Sequence, residues 1–177
     1  MAQNLDALFG YLDGLDSRAP LEDLTAELAK TNVECKHVAD FIRFSERGYT
    51  RNLARAGQWY NVLVLCWKNG QRSPIHDHAG SSCAVKVLCG MATETVFDYA
   101  ANGHVWATCS RHHQPGSVIG SQDSDLHQVS NLQPGDAELI TLHIYSPPLL
   151  WMSTYSLTDT TRGKEAMFIE FGEAAGI

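Results

Sequence analysis

The chain has 177 residues, of which 44% are hydrophobic and 19% are charged, an ordinary balance for a globular protein. Its formal net charge of −7 at pH 7 argues against a nucleic-acid partner or an anionic membrane surface, because both attract basic patches. The sequence shows no apolar run near the roughly 20 residues that cross a bilayer, and its first residues do not resemble a signal peptide. A chain of this length is expected to form one domain, over residues 1–177.

The cysteines predict a reducing compartment. Their number is odd and no pair has the CxxC spacing, so a disulfide framework is not expected. We therefore expect a cytoplasmic protein whose thiols are mostly small core residues. The five are Cys35, Cys66, Cys83, Cys89 and Cys109.

Residues 1–48 are predicted to form a small helical cap. A first helix near residues 3–14 is indicated by apolar residues at helical spacing, namely Leu5, Leu8, Phe9, Leu12 and Leu15. Pro20 is well placed to open a second helix, with Leu21, Leu24 and Leu28 on one face. A third helix, ending before Gly48, is suggested by Val38, Phe41 and Ile42.

From residue 49 to residue 177 the pattern changes to short β-rich runs. They are residues 59–67, 83–89, 93–99, 104–110, 139–145 and 167–171. Turn signals separate them, at Asn69-Gly70, Asn102-Gly103, Pro115-Gly116 and Pro134-Gly135. The spacing predicts an all-β sandwich or barrel, so the expected fold is mainly β with a small helical region before it.

Two histidines in the segment SPIHDHAG suggest a metal site. His76 and His78 are two residues apart, and on an extended strand such residues point to the same face. Pro74 favours a strand edge over a helix here. An HxH pair alone is weak evidence, because most such pairs bind no metal. With His127, far along the chain, three imidazoles could hold one cation.

The spacing around these histidines strengthens the prediction. The spacing of Gly70, His76, His78, Cys83 and Gly90 resembles the first motif of the cupin superfamily. Cys83 stands where many cupins have a glutamate that binds the metal. The second cupin motif has a histidine followed four positions later by an asparagine, as in His127 and Asn131. This resemblance implies a cupin β-barrel, a jelly-roll-like fold, with a metal centre inside it.

Further polar residues occur at strand spacing. Tyr49 and Arg51 form one i, i+2 pair, and His143 and Tyr145 form another, with Thr141 on the same face. If these faces point into a barrel, they bury polar groups that are costly without partners, as expected of a functional site. The alternative is that both pairs face outward and are solvated, which is the usual position of an arginine.

Several separated segments resemble cysteine dioxygenases of the mammalian type, in the same order along the chain. They are YTRN at 49–52, LCW at 65–67, IHDH at 75–78, Cys83, His127 and LHIYSPP at 142–148. The resemblance runs from about Tyr49 to Phe171. It implies a non-haem Fe(II) enzyme that oxidises L-cysteine with dioxygen to cysteine sulfinic acid.

The resemblance also implies roles for individual residues. The iron ligands would be His76, His78 and His127. Arg51 would bind the substrate carboxylate, and Tyr49 would line the same pocket.

In the family, a tyrosine hydroxyl reaches toward substrate and dioxygen, and this position is Tyr145. His143 would hydrogen-bond that hydroxyl, and Cys83 would be joined to Tyr145 by a thioether cross-link. Ser146-Pro147 matches a family peptide bond that is cis.

Some positions bear on the substrate. Thr141 replaces a serine of the mammalian members and keeps the hydroxyl, and Met152 replaces a cysteine. A relative specific for 3-mercaptopropionate tends to carry arginine at the Met152 position, glutamine at Arg51 and glycine at Cys83. All three positions favour cysteine as the substrate.

Other functions stay open at this stage. They are a dioxygenase of another small thiol (3-mercaptopropionate or cysteamine), a zinc or manganese cupin acting as an isomerase or hydrolase, and a cupin that only binds a ligand. The expected partners are L-cysteine and dioxygen, and a monomer is expected. His37, His104, His112 and His113 are predicted to be surface or otherwise satisfied histidines, with the last two in a loop.

Overall fold

The computed structural model describes residues 3–167, with side chains from residue 5. The strand expected at residues 167–171 therefore lies outside the described residues, apart from Met167. Helix α1 spans Gln3–Asp13 and helix α2 spans Leu21–Lys30, which confirms the first two predicted helices. No helix in the described part is long and apolar enough to cross a membrane.

The predicted third helix is wrong. Two 3₁₀ turns occupy this segment, at Cys35–His37 and Ala39–Phe41. Val38 is buried, and Phe41 and Phe44 pack against the same core. Their spacing of three residues suits a 3₁₀ turn, which has three residues per turn, better than it suits an α-helix.

Eleven strands follow in the described part. They are β1 (Thr50–Gly57), β2 (Tyr60–Trp67), β3 (Ile75–His76), β4 (Ser82–Cys89), β5 (Ala92–Tyr99), β6 (Val105–His113), β7 (Val118–Gln122), β8 (Leu126–Ser130), β9 (Leu139–Ser146), β10 (Trp151–Tyr155) and β11 (Arg162–Ala166). One sheet has the order β1-β2-β9-β4-β7 and the other the order β11-β10-β3-β8-β5-β6. Their pairings are antiparallel. The mainly β prediction is confirmed.

Several strands are not evident from the sequence. Runs of high β-propensity correctly indicate β2, β4, β5, β6 and β9. Strands β1, β3, β7, β8 and β11 are short or polar and lack this signal, whereas β10 carries it in Trp151, Thr154 and Tyr155 and was missed. Strand β6 continues to His113, so the expectation that His112 and His113 lie in a loop is wrong. The glycines of all four predicted turns have positive φ, as such turns require.

The five-stranded sheet is covered on both faces. Along β2, Val62, Val64 and Cys66 pack under the helices, whereas Leu63, Leu65 and Trp67 face the other sheet. Because successive strand residues point to opposite faces, a strand buried on both sides reads as one continuous apolar run. Polar side chains on the inner face of this sheet must therefore find partners between the two sheets.

Candidate active site

Strands β3 and β8 bring three histidines together on the inner face of the six-stranded sheet. His76 is directly opposite His127 in the antiparallel pairing, and their ring centroids are 4.7 Å apart. His78 follows β3, and its ring lies 5.3 Å from that of His76 and 4.8 Å from that of His127. One ligand atom from each ring lies within 4.8 Å of the other two, so the group suits a single metal ion.

The site favours neutral imidazoles, which is the form that binds metals. Burial lowers the pKa of His76 to about 3, and nearby His127 acts in the same direction. Burial, together with His127 and His76, holds the pKa of His78 well below its usual value. Both rings are therefore neutral at pH 7, and each has one unprotonated nitrogen whose lone pair can bind a metal.

Hydrogen bonds orient two of the rings. Nδ1 of His76 lies 3.0 Å from the carbonyl oxygen of Pro74, and Nδ1 of His127 lies 2.9 Å from Oε1 of Glu94. Each bond leaves Nε2 of its ring for a metal. Nδ1 of His78 is buried and has no hydrogen-bond partner among the described residues. Three nitrogen donors without a carboxylate ligand fit Fe(II), Zn(II) or another divalent transition ion.

Glu94 is a site residue that the sequence did not reveal. Its carboxylate accepts from His127 and lies 3.1 Å from Nε2 of His113, and only 6% of its side chain is exposed. Burial acts to raise the pKa of Glu94, but the hydrogen bond from His127, with a contribution from His113, outweighs burial and lowers that pKa. In the sequence, a glutamate within the run TETVFDY could equally face solvent.

Arg51 occupies the opposite wall, on β1 of the five-stranded sheet. Its guanidinium is buried, and Nη1 lies 3.4 Å from the hydroxyl of Tyr145. Its Nε and Nη2 are buried with no hydrogen-bond partner, and no described carboxylate forms an ion pair with it. An unpaired buried cation is costly, so the cavity is suited to an anionic ligand.

A chain of buried hydrogen bonds follows β9 on the same wall. The indole Nε1 of Trp67 donates to Oγ1 of Thr141 over 3.0 Å, and Oγ1 lies 2.9 Å from Nε2 of His143. Nδ1 of His143 lies 3.2 Å from the hydroxyl of Tyr145. Tyr49 stacks on Trp67, with ring centroids 4.2 Å apart. Burial, followed by the charge of Arg51, holds the pKa of His143 well below its usual value.

Cys83 is directly opposite Tyr145 in the pairing of β4 with β9. Both side chains are buried. Burial raises the pKa of the Cys83 thiol to about 12 although Arg51 acts to lower it, so the thiol is protonated at neutral pH. Burial likewise raises the pKa of Tyr145 against the opposing effect of Arg51.

The eight catalytic, substrate-binding and metal-binding residues predicted from the sequence line one cavity. The structure brings together Tyr49, Arg51, His76, His78, Cys83, His127, His143 and Tyr145. Leu65, Val129 and Met152 form apolar parts of the cavity wall. The Ser146-Pro147 bond is cis, as expected.

Two antiparallel sheets enclose a three-histidine centre, which is the arrangement of the cupin, or double-stranded β-helix, fold. Two solved structures share the fold of this chain. One is a protein of Thermus thermophilus, with a TM-score of 0.53 and 16% identity, covering 65% of this chain and 98% of that one. Another, from Klebsiella pneumoniae, is described as an uncharacterized conserved protein with a double-stranded beta-helix domain. This match has a TM-score of 0.53 and 17% identity, and it covers 67% of this chain and 94% of the Klebsiella chain.

Sequence comparison identifies the family. Residues 19–158 match the family described as cysteine dioxygenase type I. Cysteine dioxygenase type 1 of Rattus norvegicus is 30% identical over 161 residues, which is 89% of this chain and 79% of the rat protein. The Homo sapiens protein is 31% identical over 143 residues, which is 78% and 70% of the two chains. The chain belongs to the cysteine dioxygenase type I family and is a thiol dioxygenase enzyme.

Proposed function

We propose that the chain oxidises the thiol of L-cysteine with dioxygen to cysteine sulfinic acid, at Fe(II) held by His76, His78 and His127. The observation that carries this proposal is Arg51. Two of its nitrogens are buried without partners in the cavity that contains the three histidines. A carboxylate is the ligand that such a guanidinium matches.

The donor set fits iron in this role. Three neutral imidazoles would leave the full positive charge of Fe(II) available to an anionic thiolate. When bound, iron would supply the redox chemistry that dioxygen requires and would favour loss of the thiol proton. His76, His78 and His127 would hold it, and Glu94 and the carbonyl of Pro74 would keep two of these rings oriented.

Arg51 binds and orients the substrate in this proposal. Its free Nε and Nη2 are adjacent donors that can grip one carboxylate in a bidentate manner. A hydrogen bond between charged groups contributes about 1.5–3 kcal/mol. A thiol without a carboxylate, such as cysteamine, would leave the guanidinium buried and unpaired, so we expect it to be a poor substrate.

Tyr145 is the second polar group that faces the substrate. Its hydroxyl is hydrogen-bonded to Nδ1 of His143, and Nε2 of His143 is hydrogen-bonded to Oγ1 of Thr141. Because its pKa is raised by burial, Tyr145 remains a phenol that can donate a hydrogen bond to an anionic atom in the cavity. We propose that it stabilises the negative charge that develops there as the thiol is oxidised.

We also propose a thioether cross-link between Cys83 and Tyr145. The support is their direct pairing on neighbouring strands, which places opposite side chains close enough to react. Such a bond would hold the phenol ring in one position.

The proposal extends to the context of the enzyme. We propose a monomer as the working unit, since these eight residues of a single chain are enough to form the site. The cysteines in the described structure are unpaired, which supports a reducing cytoplasm.

Oxygen uptake tests the proposed function. Protein purified without metal is reconstituted anaerobically with Fe(II), mixed with each thiol, and its product is identified by mass spectrometry. We expect sulfinic acid from cysteine and slow turnover of cysteamine. Faster turnover of 3-mercaptopropionate, which also has a carboxylate, would reassign the substrate. Activity with Zn(II) and no oxygen consumption would contradict the proposal.

A further inference from the structure

We propose that Arg18 is a positioning residue for the metal ligand His78, and that it acts through the turn that contains Asp123. Arg18 lies between helices α1 and α2, so the helical cap takes part in holding the metal centre of the barrel. The inference rests on the part of the proposed function in which three histidines bind a metal. It does not depend on which thiol is oxidised.

His78 differs from the other two ligands in what holds its ring. His76 and His127 each have a hydrogen bond at Nδ1, whereas Nδ1 of His78 has no partner among the described residues. His78 also lies just after β3, which ends at His76. The position of its ring therefore depends on its backbone more than the positions of the other two rings do.

Two turns with unfavourable backbone angles hold the backbone of His78. Its N–H donates to the carbonyl oxygen of Asp123 over 2.9 Å, and the N–H of Asp123 donates to the carbonyl oxygen of Ser81 over 3.4 Å. Asp123 has a φ of 52°, and Ala79, next to His78, has a φ of 45°. In the described part of the chain, no other residue except glycines has a positive φ. Such angles persist only where the surrounding contacts enforce them.

Arg18 supplies contacts that enforce the turn at Asp123. Its Nη1 and Nη2 donate to the two carboxylate oxygens of Asp123 over 2.6 and 3.0 Å. Nη2 also donates to Oε1 of Gln122 over 3.1 Å, and Nε donates to Oγ of Ser82 over 2.9 Å. A single exposed ion pair contributes little, but a bidentate pair within a network fixes the geometry of both partners.

The backbone beside Arg18 is fixed as well. The N–H of Ala19 donates to Oγ of Ser146 over 2.9 Å, and Oγ of Ser82 donates to the carbonyl oxygen of Ala19 over 2.8 Å. Ala19, Ser82 and Ser146 are buried. The guanidinium of Arg18 therefore connects an anchored segment of the cap to the turn that holds His78.

Cobalt binding to metal-free protein tests the role of Arg18 without any assay of turnover. In Arg18→Ala, the Co(II) affinity measured by competition with a chelator should fall by roughly 10-fold, the lower end of the effect of losing a partner of a metal ligand. The visible absorption of the Co(II)-saturated protein should also change, because it reports the geometry of the ligands. Arg18→Lys keeps the charge without the fork and should recover part of the affinity.

Arg55→Ala is the matched control. Arg55 also forms an exposed ion pair between the cap and the barrel, with Nη2 lying 2.6 Å from Oδ2 of Asp13. Among the described residues, no hydrogen bond links this pair to a metal ligand. Arg55→Ala should lower the Tm of the metal-free protein much as Arg18→Ala does, but it should keep the wild-type Co(II) affinity and spectrum. Equal losses of affinity in the two variants would indicate general destabilisation and overturn the proposal.

Asp123→Gly tests the route to His78. Glycine adopts a positive φ without strain but lacks the carboxylate that Arg18 binds. The Co(II) affinity should fall, and the double variant with Arg18→Ala should bind no more weakly than the weaker single variant, because both changes break one contact. Wild-type affinity in either single variant, or additive losses in the double variant, would overturn the proposal.

The outcomes separate this inference from the proposed function. If the variants behave as expected but the iron-loaded wild type does not oxidise cysteine, the proposed reaction fails and the role of Arg18 stands. If the wild type binds Co(II) and oxidises cysteine but Arg18→Ala matches it in affinity and spectrum, only the role of Arg18 fails. A wild type that binds no Co(II) would overturn both.

Discussion

Cys83 and Tyr145 are directly opposite each other across the β4–β9 pairing, and both are buried against the cavity that contains the three histidines. His143 lies two residues before Tyr145 on β9, and its Nδ1 is hydrogen-bonded to the tyrosine hydroxyl. The inner wall of the five-stranded sheet thus places a thiol, a phenol and an imidazole opposite the metal-binding wall of the other sheet.

The first prediction concerns the Cys83–Tyr145 pair. Iron-loaded protein exposed to cysteine and oxygen should acquire a fraction lighter by two hydrogens, which migrates faster on a denaturing gel. Cys83→Ser and Tyr145→Phe should each abolish this band and reduce activity without eliminating it. Cys89→Ser changes an exposed thiol and should retain the band. A single unmodified mass in wild-type protein after turnover would show that Cys83 is only a core thiol.

The second prediction concerns the buried guanidinium. Arg51→Ala should raise the KM for cysteine by roughly 10- to 100-fold, because a charge-assisted bond of about 1.5–3 kcal/mol is lost. Steady-state kinetics would measure this change, and metal analysis should show iron content near that of the wild type. Arg51→Lys keeps the charge without the bidentate fork, so partial recovery is expected. Loss of iron in Arg51→Ala would instead indicate a structural role.

The third prediction concerns Glu94. Removing the carboxylate that accepts from His127 should weaken metal binding by roughly 10- to 100-fold, the usual effect of losing a partner of a ligating histidine. Competition between a chelator and Glu94→Ala for Co(II) or Fe(II) would measure the loss. Glu94→Gln keeps an acceptor oxygen and should lose less.

His113→Ala is the matched control for Glu94. It removes the outer contact of the carboxylate but leaves the bond to His127 in place. Metal affinity should therefore change less than in Glu94→Ala. Equal affinities in wild type and Glu94→Ala would show that His127 does not need this partner.

The fourth prediction concerns metal removal. A metal that binds only the folded chain stabilises it by about 2.7 kcal/mol at a free concentration of 100 times Kd. For a chain of this size, that corresponds to a Tm higher by roughly 5–10 °C. Thermal unfolding with and without Zn(II) or anaerobic Fe(II) would measure the shift.

His127→Ala should abolish the thermal shift, because two imidazoles remain. His104→Ala changes a histidine outside the cavity and should keep it. A full shift in His127→Ala would place the metal elsewhere.

Much of the fold could be predicted because its signals are local. Helices α1 and α2 have apolar residues at helical spacing, and strand β2, which is buried on both faces, is an almost continuous apolar run. The segment after α2 misled the prediction, because apolar residues three apart fit one turn of either helix type. Strand β3 has only two residues and depends on its pairing with β8 and β10.

The candidate site shows the same division. Motif spacing and family resemblance indicated eight of the thirteen residues that line the cavity, since each of the eight lies in a recognisable segment. Glu94 was missed because its importance depends on a neighbour 33 residues away in the chain. Trp67 was expected only as a core residue, and its bond to Thr141 depends on the pairing of β2 with β9.

The sequence by itself determined the family and so indicated the kind of chemistry, because the motif spacing of three histidines and the resemblance of the flanking segments point to three imidazoles, a guanidinium, a phenol and a thiol. Only the tertiary structure decided how these groups face one another, because two sheets must pack before His127 meets His76 or Arg51 meets Tyr145. The direction of a hydrogen bond and the protonation of a buried ring depend on those contacts and on the exclusion of water. Neither is encoded in any single stretch of the chain.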